Sequence, residues 1–387
     1  MPGADWKPVK LDELGFVGRG KSRHRPRNAA LLYGGCYPFF QTGDIKAANF
    51  YLTEYSQTYS NEGLAQSKLW QPGTLCITIA ANIAESAILG VEGCFPDSVV
   101  GFVANPDKAD VRFIKYYMEV LKLRMQNVSH GATQDNLSVD KLLSFDFLVP
   151  PLPMQRRIAG ILSAYDELIE NSQRRIRILE AMARALYREW FVHFRFPGHE
   201  KQPRVASPLG EIPRGWEVGR LDDVLVLQRG FDLPKSARIE GDVPIYAATG
   251  VNGFHNEAKV KAPGVVTGRS GTIGDVIYVQ EDFWPLNTAL WVKEFPKSEP
   301  LYAYYLLSSL DLKQFNSGAA VPTLNRNDIH GLDALIPPLS LQRKFQEVVS
   351  AIHRQSRTLD LQIQNLRRTR DLLLPRLLSG QMNVEAA

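Results

Sequence analysis

The chain has 387 residues, of which 44% are hydrophobic and 22% charged. This is the composition of a globular protein with room for two or three hydrophobic cores. Its net charge is only +4, so a nucleic-acid-binding surface would need local clusters of Arg and Lys. The three cysteines, Cys36, Cys76 and Cys94, form no CxxC pair, and no apolar run resembles a membrane span or a signal core. We therefore expect a soluble, cytoplasmic protein with reduced thiols.

The first module, residues 1–151, contains short β-branched or aromatic runs bounded by Gly, Pro and Asn. Such runs are typical of strands and turns. A helix is predicted at residues 109–125, where apolar residues recur at helical spacing. These patterns predict an α+β domain built on a curved, antiparallel sheet.

Residues 152–195 form one long amphipathic pattern with no Pro after Pro153. Its apolar row recurs every seven residues, with Ser172 as the polar exception. The apolar members are Ile158, Tyr165, Leu179 and Leu186. A repeat of this period over about five heptads favours the seam of a coiled coil.

A second module repeats the first. Residues 196–215 are rich in Pro and Gly and predict a linker. In residues 216–338, WEVGRLDDVLVLQRG from Trp216 then aligns without gaps with WKPVKLDELGFVGRG from Trp6. This internal duplication predicts two similar, strand-rich domains.

The long helix is also duplicated. Residues 339–380 repeat its pattern 187 positions later, as Phe345 after Ile158 shows, and residues 381–387 form a short tail. The seam of the second helix is Phe345, Ile352, Leu359, Leu366 and Leu373. Pro375 is expected to end or kink this helix at about residue 374. The alternative is two independent amphipathic helices, each lying on a globular domain.

The order is thus module, helix, linker, module, helix, and a Pro-Pro turn leads from each module into its helix. Antiparallel helices give the simpler topology, because parallel packing would require the linker to climb back along nearly the whole ~60 Å of a 40-residue helix. Two similar modules related by a pseudo-two-fold axis suit duplex DNA, whose half-sites recur at about one turn, ~34 Å. Because their loops differ, we expect them to read an asymmetric, bipartite sequence.

One stretch matches a phosphate-binding loop. Gly15–Ser22 fits GxxxxGK[ST], which would suggest a stand-alone P-loop NTPase. Pro26 would stop the helix that such a loop requires, and the aligned stretch of the second module lacks the Lys. A basic recognition loop is therefore the preferred interpretation. The sequence contains no methyltransferase signature and no HExxH, so we predict neither a catalytic residue nor a metal site.

Candidate DNA contacts lie on loops rich in Arg, Lys, Asn and Gln, which can bind phosphates or base edges. In the first module they are Arg19, Lys21, Arg23, Arg25 and Arg27, with His24 among them, and then His130, Gln134 and Asn136. In the second module they are Arg229, Lys235, Arg269, Ser270, Asn325, Arg326 and Asn327. The alternatives are a solvated loop for the basic cluster and helix capping for the Asn-rich loops.

The sequence resembles a known family over nearly its whole length. The openings at Trp6 and Trp216, Gln155 and Gln342 after the PPLP and PPLS turns, and the closing LLPRLLSGQM are similar to the specificity subunit of type I restriction–modification enzymes. The resemblance implies two target-recognition domains separated by two conserved helices. This chain would then be a non-catalytic DNA reader that itself binds no cofactor.

The resemblance also implies partners. They are two modification subunits, which bind S-adenosylmethionine and methylate adenine, and restriction subunits that use ATP and Mg²⁺. A coiled-coil scaffold without a role in DNA binding is the remaining alternative.

Overall fold

The computed structural model describes residues 6–130, 137–382 and 384. The chain forms two compact units. The first comprises Met1–Arg174 and Leu359–Ala387, and the second comprises Arg175–Thr358. Each long helix is therefore divided between the two units. Among the described residues, no helix is both long enough and apolar enough to cross a membrane.

The described residues of the first module form nine strands and five α-helices. In chain order they are β1 (Lys7–Val9), α1 (Leu11–Leu14), β2 (Gly15–Arg19), β3 (Tyr33–Phe39), α2 (Thr42–Ala47), β4 (Tyr51–Leu52), β5 (Gln57–Tyr59), α3 (Asn61–Ala65), β6 (Leu75–Thr78), β7 (Ser86–Leu89), β8 (Val99–Ala104), α4 (Val111–His130), α5 (Val139–Ser144) and β9 (Phe147–Val149). The first long helix follows as α6 (Leu152–Tyr187), and a π-helical turn continues it to Val192.

The main sheet of the first unit has the order β2-β8-β6-β7-β4. It is antiparallel, as predicted, except that the two-residue β4 pairs with β7 in parallel. Both of its faces are covered. Leu75 and Ile77 lie in the core that also contains α4, whereas Cys76, between them, lies in a second cluster on the opposite face. This alternation is why β6 is apolar at successive positions.

The second module repeats this topology. Its elements are β10 (Arg204–Ser207), β11 (Gly210–Pro213), β12 (Glu217–Arg220), α7 (Leu221–Val224), β13 (Val226–Arg229), β14 (Val243–Ala247), β15 (Gly250–His255), β16 (Gly264–Gly268), β17 (Val276–Val279), β18 (Trp284–Pro285), β19 (Ala289–Glu294), α8 (Pro300–Ser309), α9 (Arg326–His330), β20 (Asp333–Ile336) and the second long helix α10 (Leu339–Leu378). The sheet order β13-β19-β16-β17 matches β2-β8-β6-β7, and the pair β12-β20 matches β1-β9. The predicted α+β class and internal repeat are thus confirmed.

The segment between the modules is ordered. Residues 196–215, predicted as a linker, contain the antiparallel hairpin of β10 and β11. Phe196 and Ile212 pack with Trp216 at the start of the second module. Apolar anchors at both ends of the segment therefore give its Pro- and Gly-rich sequence a defined path.

The two long helices run antiparallel within each unit. In the first unit, Ile158 packs in the same core as Leu377, and Asp166 forms an ion pair with Arg370. From Ile158 to Asp166 the residue number rises along α6, whereas from Leu377 to Arg370 it falls along α10. In the second unit, Tyr187 and Trp190 contact Phe345. The antiparallel pairing predicted from topology is thus present in both units.

The predicted seam lies at the helix pair, but its burial is uneven. Ile158, Phe345 and Leu359 are buried, whereas the other members are half-buried. The half-buried members are Tyr165, Leu179, Leu186, Ile352, Leu366 and Leu373. A companion row is buried more uniformly and includes Leu162, Ile169, Ala183, Val349 and Ile363. Each helix thus buries two adjacent rows.

The sequence predicted that Pro375 would end or kink the second helix at about residue 374, and the helix does not end there. The helix α10 continues through Pro375 to Leu378. Leu377 and Leu378 are buried in the core of the first unit, and the backbone N–H of Ser379 donates to the carbonyl of Pro375 at 3.0 Å. Packing of this last turn offsets the one hydrogen bond that proline removes.

Candidate nucleic-acid interface

In the first module, the predicted basic loop leaves the sheet at a close backbone contact. The N–H of Gly20 donates to the carbonyl of Val99 at 2.9 Å, and that of Lys21 donates to Phe95 at 3.1 Å. A Cβ atom on Gly20 would lie 2.3 Å from the carbonyl oxygen of Pro96. Only glycine fits here without a costly shift of the backbone.

The second module has the same close backbone contact, and we call the two contacts, at Gly20 and Gly230, the glycine joints. The N–H of Gly230 donates to Ala289 at 3.1 Å, and that of Phe231 donates to Pro285 at 2.8 Å. A Cβ atom on Gly230 would lie 2.2 Å from the carbonyl oxygen of Leu286. Both modules thus present a loop beside a turn that precedes a central strand. These turns are residues 95–98 and 285–288.

In the first module, two of the predicted arginines form hydrogen bonds with the turn residue Asp97. Arg27 donates from one nitrogen to both carboxylate oxygens of Asp97, at 2.9 Å each, and Arg19 donates to its backbone carbonyl. Arg25 instead bonds the carbonyls of Ser22 and His24. The three arginines are therefore held by bonds within the protein.

Lys21 and Arg23 differ from these arginines. Both are exposed, and the part of the chain that the structure describes provides no ion pair for either side chain. They present positive charge to the solvent at this loop.

In the second module, Asn287 takes the place of Asp97. Its side-chain amide donates to the carboxylate of Asp232, which also pairs with Arg229 at 3.3 Å. Its backbone carbonyl accepts from Arg269 at 2.8 Å. Arg229 and Arg269, which lie 40 positions apart in the sequence, are thus brought to one turn.

Sequence reasoning missed Asp97, Asp232 and Asn287. The signal that could have found two of them is the polar pair that precedes each central strand, Asp97-Ser98 in one module and Asn287-Thr288 in the other. Only an alignment of those strands would have exposed it.

The loop before the second long helix joins this site. The carbonyl of Arg269 accepts from the N–H of Leu324 at 2.8 Å, and Ser270 forms a β-bridge with Thr323. In the first module, Leu137 donates to Ile79 at 2.9 Å in the equivalent way. Both modules therefore bring the residues that follow this loop to the same edge of the sheet.

Other predicted contacts have local roles. The side-chain oxygen of Asn325 accepts from the N–H of Asn327 at 3.1 Å and caps α9, which is the capping alternative. Arg326 donates to the carbonyl of Leu227 at 3.3 Å. Lys235 is exposed and begins a separate 3-10 turn.

Three predicted contacts cannot be placed. Gln134 and Asn136 lie outside the described residues, as does the side chain of His130, the last residue of α4.

The structure does not form the phosphate-binding loop suggested by Gly15–Ser22. Gly15–Arg19 is a strand, and no helix begins at Lys21 or Ser22. A P-loop needs a helix N-terminus at this point. Within residues 6–130, 137–382 and 384, no group of three His, Cys, Asp or Glu side chains is placed to hold a metal ion.

Comparison with known proteins assigns a family. A model of the type I restriction modification DNA specificity domain matches residues 3–181 and 213–366, one match for each module. The MjaIX specificity subunit of Methanocaldococcus jannaschii is 26% identical, over 98% of this chain and 94% of that protein. The HindI specificity subunit of Haemophilus influenzae is 22% identical, over 98% of this chain and all of that protein.

A solved structure has the same fold. The S subunit of a type I restriction–modification system from M. genitalium superposes with a TM-score of 0.67 at 18% identity, covering 97% of this chain and 96% of that chain. The duplicated modules and their helices are therefore the architecture of a known class. The chain belongs to the type I restriction–modification DNA specificity family.

Proposed function

We propose that this chain is the DNA-reading subunit of a type I restriction–modification complex and that its modules read the two unequal halves of a bipartite site. This proposal depends on one observation: the two modules have the same backbone arrangement at this site but carry different side chains on it. Gly20 and Gly230 make equivalent joints. Beside them, Asp97 stands in one module and Asn287 in the other.

The difference matters because bases are distinguished by their pattern of donors and acceptors in the major groove. Around Asp97, the guanidinium of Arg27 is bound by both carboxylate oxygens. Around Asn287, an amide and two arginines share one turn. The two modules thus present different hydrogen-bond donors and acceptors and would favour different bases, which supports an asymmetric site.

We also propose that two modification subunits dock on the long helices. Large apolar side chains on these helices are about half exposed and would be covered by a docked partner. They are Leu168, Ile178 and Met182 on α6, and Val348, Leu361 and Leu372 on α10. Because each unit contains one helix pair, two equivalent docking sites would be available.

In this proposal the chain carries no catalytic centre of its own. The modification subunits would bind S-adenosylmethionine and methylate adenine, and restriction subunits would use ATP and Mg²⁺. The complex would act in the cytoplasm, where the DNA is. The absence of a helix after Lys21 argues against the alternative of a stand-alone NTPase.

Methylome sequencing of cells with and without this chain tests the proposal. We expect one asymmetric, bipartite motif to lose its methylated adenine when the chain is absent. Exchanging the loop at residues 19–27 should change one half of that motif and leave the other half unchanged. If no motif depended on the chain, it would be a scaffold. If the exchange changed both halves, the modules would not read independently.

A further inference from the structure

The basic loop of the first module is held by a segment distant in the sequence. The side-chain oxygen of Gln66 accepts from the backbone N–H of Arg23 at 2.5 Å and from that of His24 at 3.0 Å. The hydroxyl of Ser67 donates to the carbonyl of Lys21 at 2.8 Å. Gln66 and Ser67 thus give the start of this loop a defined conformation.

Lys68, the next residue, adds a cation beside this loop. Its ammonium lies 3.6 Å from the ring centroid of Trp70 and 4.7 Å from that of Phe16. Trp70 is buried, whereas Phe16 is 56% exposed. The two rings hold the ammonium in place by cation–π attraction.

The charge of Lys68 is not neutralised by a carboxylate in the described part of the chain, where no ion pair includes this residue. Burial lowers the pKa of Lys68, and the positive charge of Lys21 lowers it further. The hydrogen bond from Ser67 to the carbonyl of Lys21 places the backbone before Lys68 against that of Lys21. An anion that binds both ammonium groups would relieve the repulsion between two like charges.

We propose that Lys68 and Lys21 form a seat for one phosphodiester of the DNA backbone, an inference that rests on the proposed function. Both ammonium groups would donate to phosphate oxygens. The stacking of Lys68 on two rings limits the conformational freedom it would lose on binding. Such a contact is independent of the base sequence and sets the position of the first module on the duplex.

The second module offers a natural contrast. Lys259 lies 4.8 Å from the ring centroid of Trp284, in a similar cation–π contact. However, its ammonium donates to the carboxylate of Glu257 at 2.6 Å. Its charge is already paired, so Lys259 is the matched control for Lys68.

The experiment measures the affinity of the complex of this chain with its modification subunits for a duplex that contains its site, over a series of NaCl concentrations. Lys68→Met removes the charge but keeps an apolar side chain against Trp70, Lys68→Arg keeps the charge, and Lys259→Met is the control. We expect Lys68→Met to reduce the slope of log K against log salt by about 0.9, the value for one phosphate contact. Lys68→Arg and Lys259→Met should keep the wild-type slope.

Three outcomes would overturn the phosphate seat. They are an unchanged slope for Lys68→Met, an equal loss for Lys68→Arg, or a changed methylation motif, which would indicate a contact with a base. In each of them the wild-type complex still binds its site, so the proposed function stands. A wild-type complex with no sequence preference would instead contradict the proposed function itself.

Discussion

Gln155 and Gln342 make the same three hydrogen bonds in the two halves of the molecule. The amide nitrogen of Gln155 donates to Lys108 and Pro150, both at 3.0 Å, and its oxygen accepts from the N–H of Asp110 at 3.0 Å. Both glutamines are buried, at 1% and 0% exposure.

Gln342 repeats this arrangement. Its amide nitrogen donates to Lys297 at 3.1 Å and to Pro337 at 2.8 Å, and its oxygen accepts from the N–H of Glu299 at 2.8 Å. Each glutamine ties the first turn of a long helix to the strand before it and to the start of the module's own helix. A primary amide suits this position because it offers two donors and an acceptor at one end.

The first prediction concerns this bond set. Gln155→Leu and Gln342→Leu should each lower the free energy of unfolding of their own unit by about 2–4 kcal/mol, because one buried and two partly buried backbone groups lose their partner. Hydrogen exchange resolved by segment would show which unit is weakened. Gln355→Leu, at an exposed position of α10, is the control and should change stability by less than about 0.5 kcal/mol. Wild-type protection in Gln342→Leu would contradict the prediction.

A second prediction follows from the glycine joints. Gly20→Ala and Gly230→Ala would each force a methyl group to within 2.3 Å of a backbone oxygen, so we expect a loss of about 1–3 kcal/mol of stability. We also expect weaker DNA binding, since the loop beside the joint must shift. Gly43→Ala, where an added Cβ meets nothing within 4 Å, should be neutral. Thermal unfolding and a DNA-binding assay on all three variants provide the measurement.

The ion pair of Asp166 and Arg370 leads to a third prediction. It is largely shielded from solvent, and Tyr116 donates to the other oxygen of Asp166. A double-mutant cycle with Asp166→Leu and Arg370→Met should give a coupling energy of about 1–3 kcal/mol, because Arg370→Met leaves the shielded carboxylate of Asp166 without a cation. Arg370 keeps a second partner in Asp371 at 2.8 Å when Asp166 is replaced.

The exposed pair of Glu180 and Arg184, whose charged atoms lie 3.7 Å apart, is the control for this cycle. Its coupling should stay below about 0.5 kcal/mol. Equal coupling in the two cycles would mean that the shielded pair contributes no more than an ordinary surface pair.

The fourth prediction is a pH dependence in the second unit. His353 occupies the position that corresponds to Asp166, and its Nε2 lies 2.9 Å from the hydroxyl of Tyr305. Burial lowers the pKa of His353 to about 4. Between pH 4 and 6.5 the unfolded chain therefore binds a proton that the folded chain does not, so stability must fall as the pH falls.

From pH 7 to pH 5 this effect should cost roughly 2 kcal/mol. Urea unfolding at the two pH values measures it. His353→Gln should lose this part of the pH dependence. His193→Gln, at an exposed position, should retain it. If His353→Gln kept the whole dependence, other groups would be responsible.

The sequence by itself determined the repeat, the long helices and the family. These features depend on patterns that can be read along the chain. A seven-residue apolar period requires a seam, and Gln342 lies 187 positions after Gln155 in a matching context. The glycines at positions 20 and 230 also align in the sequence, because each is needed at the same close backbone contact.

Only the tertiary structure decided which charges in the basic loop are available. Between Arg19 and Arg27, the sequence does not distinguish the cations that are paired within the protein from those that are free. Folding brings Asp97 to Arg27 across 70 positions and places Ser67, the neighbour of Lys68, against the carbonyl of Lys21. Periodicity and local propensity carry no information about contacts at such separations. Sheet pairing, which joins β2 to β8, brings Asp97 to Arg19 and Arg27 and so determines which cations of the loop remain unpaired.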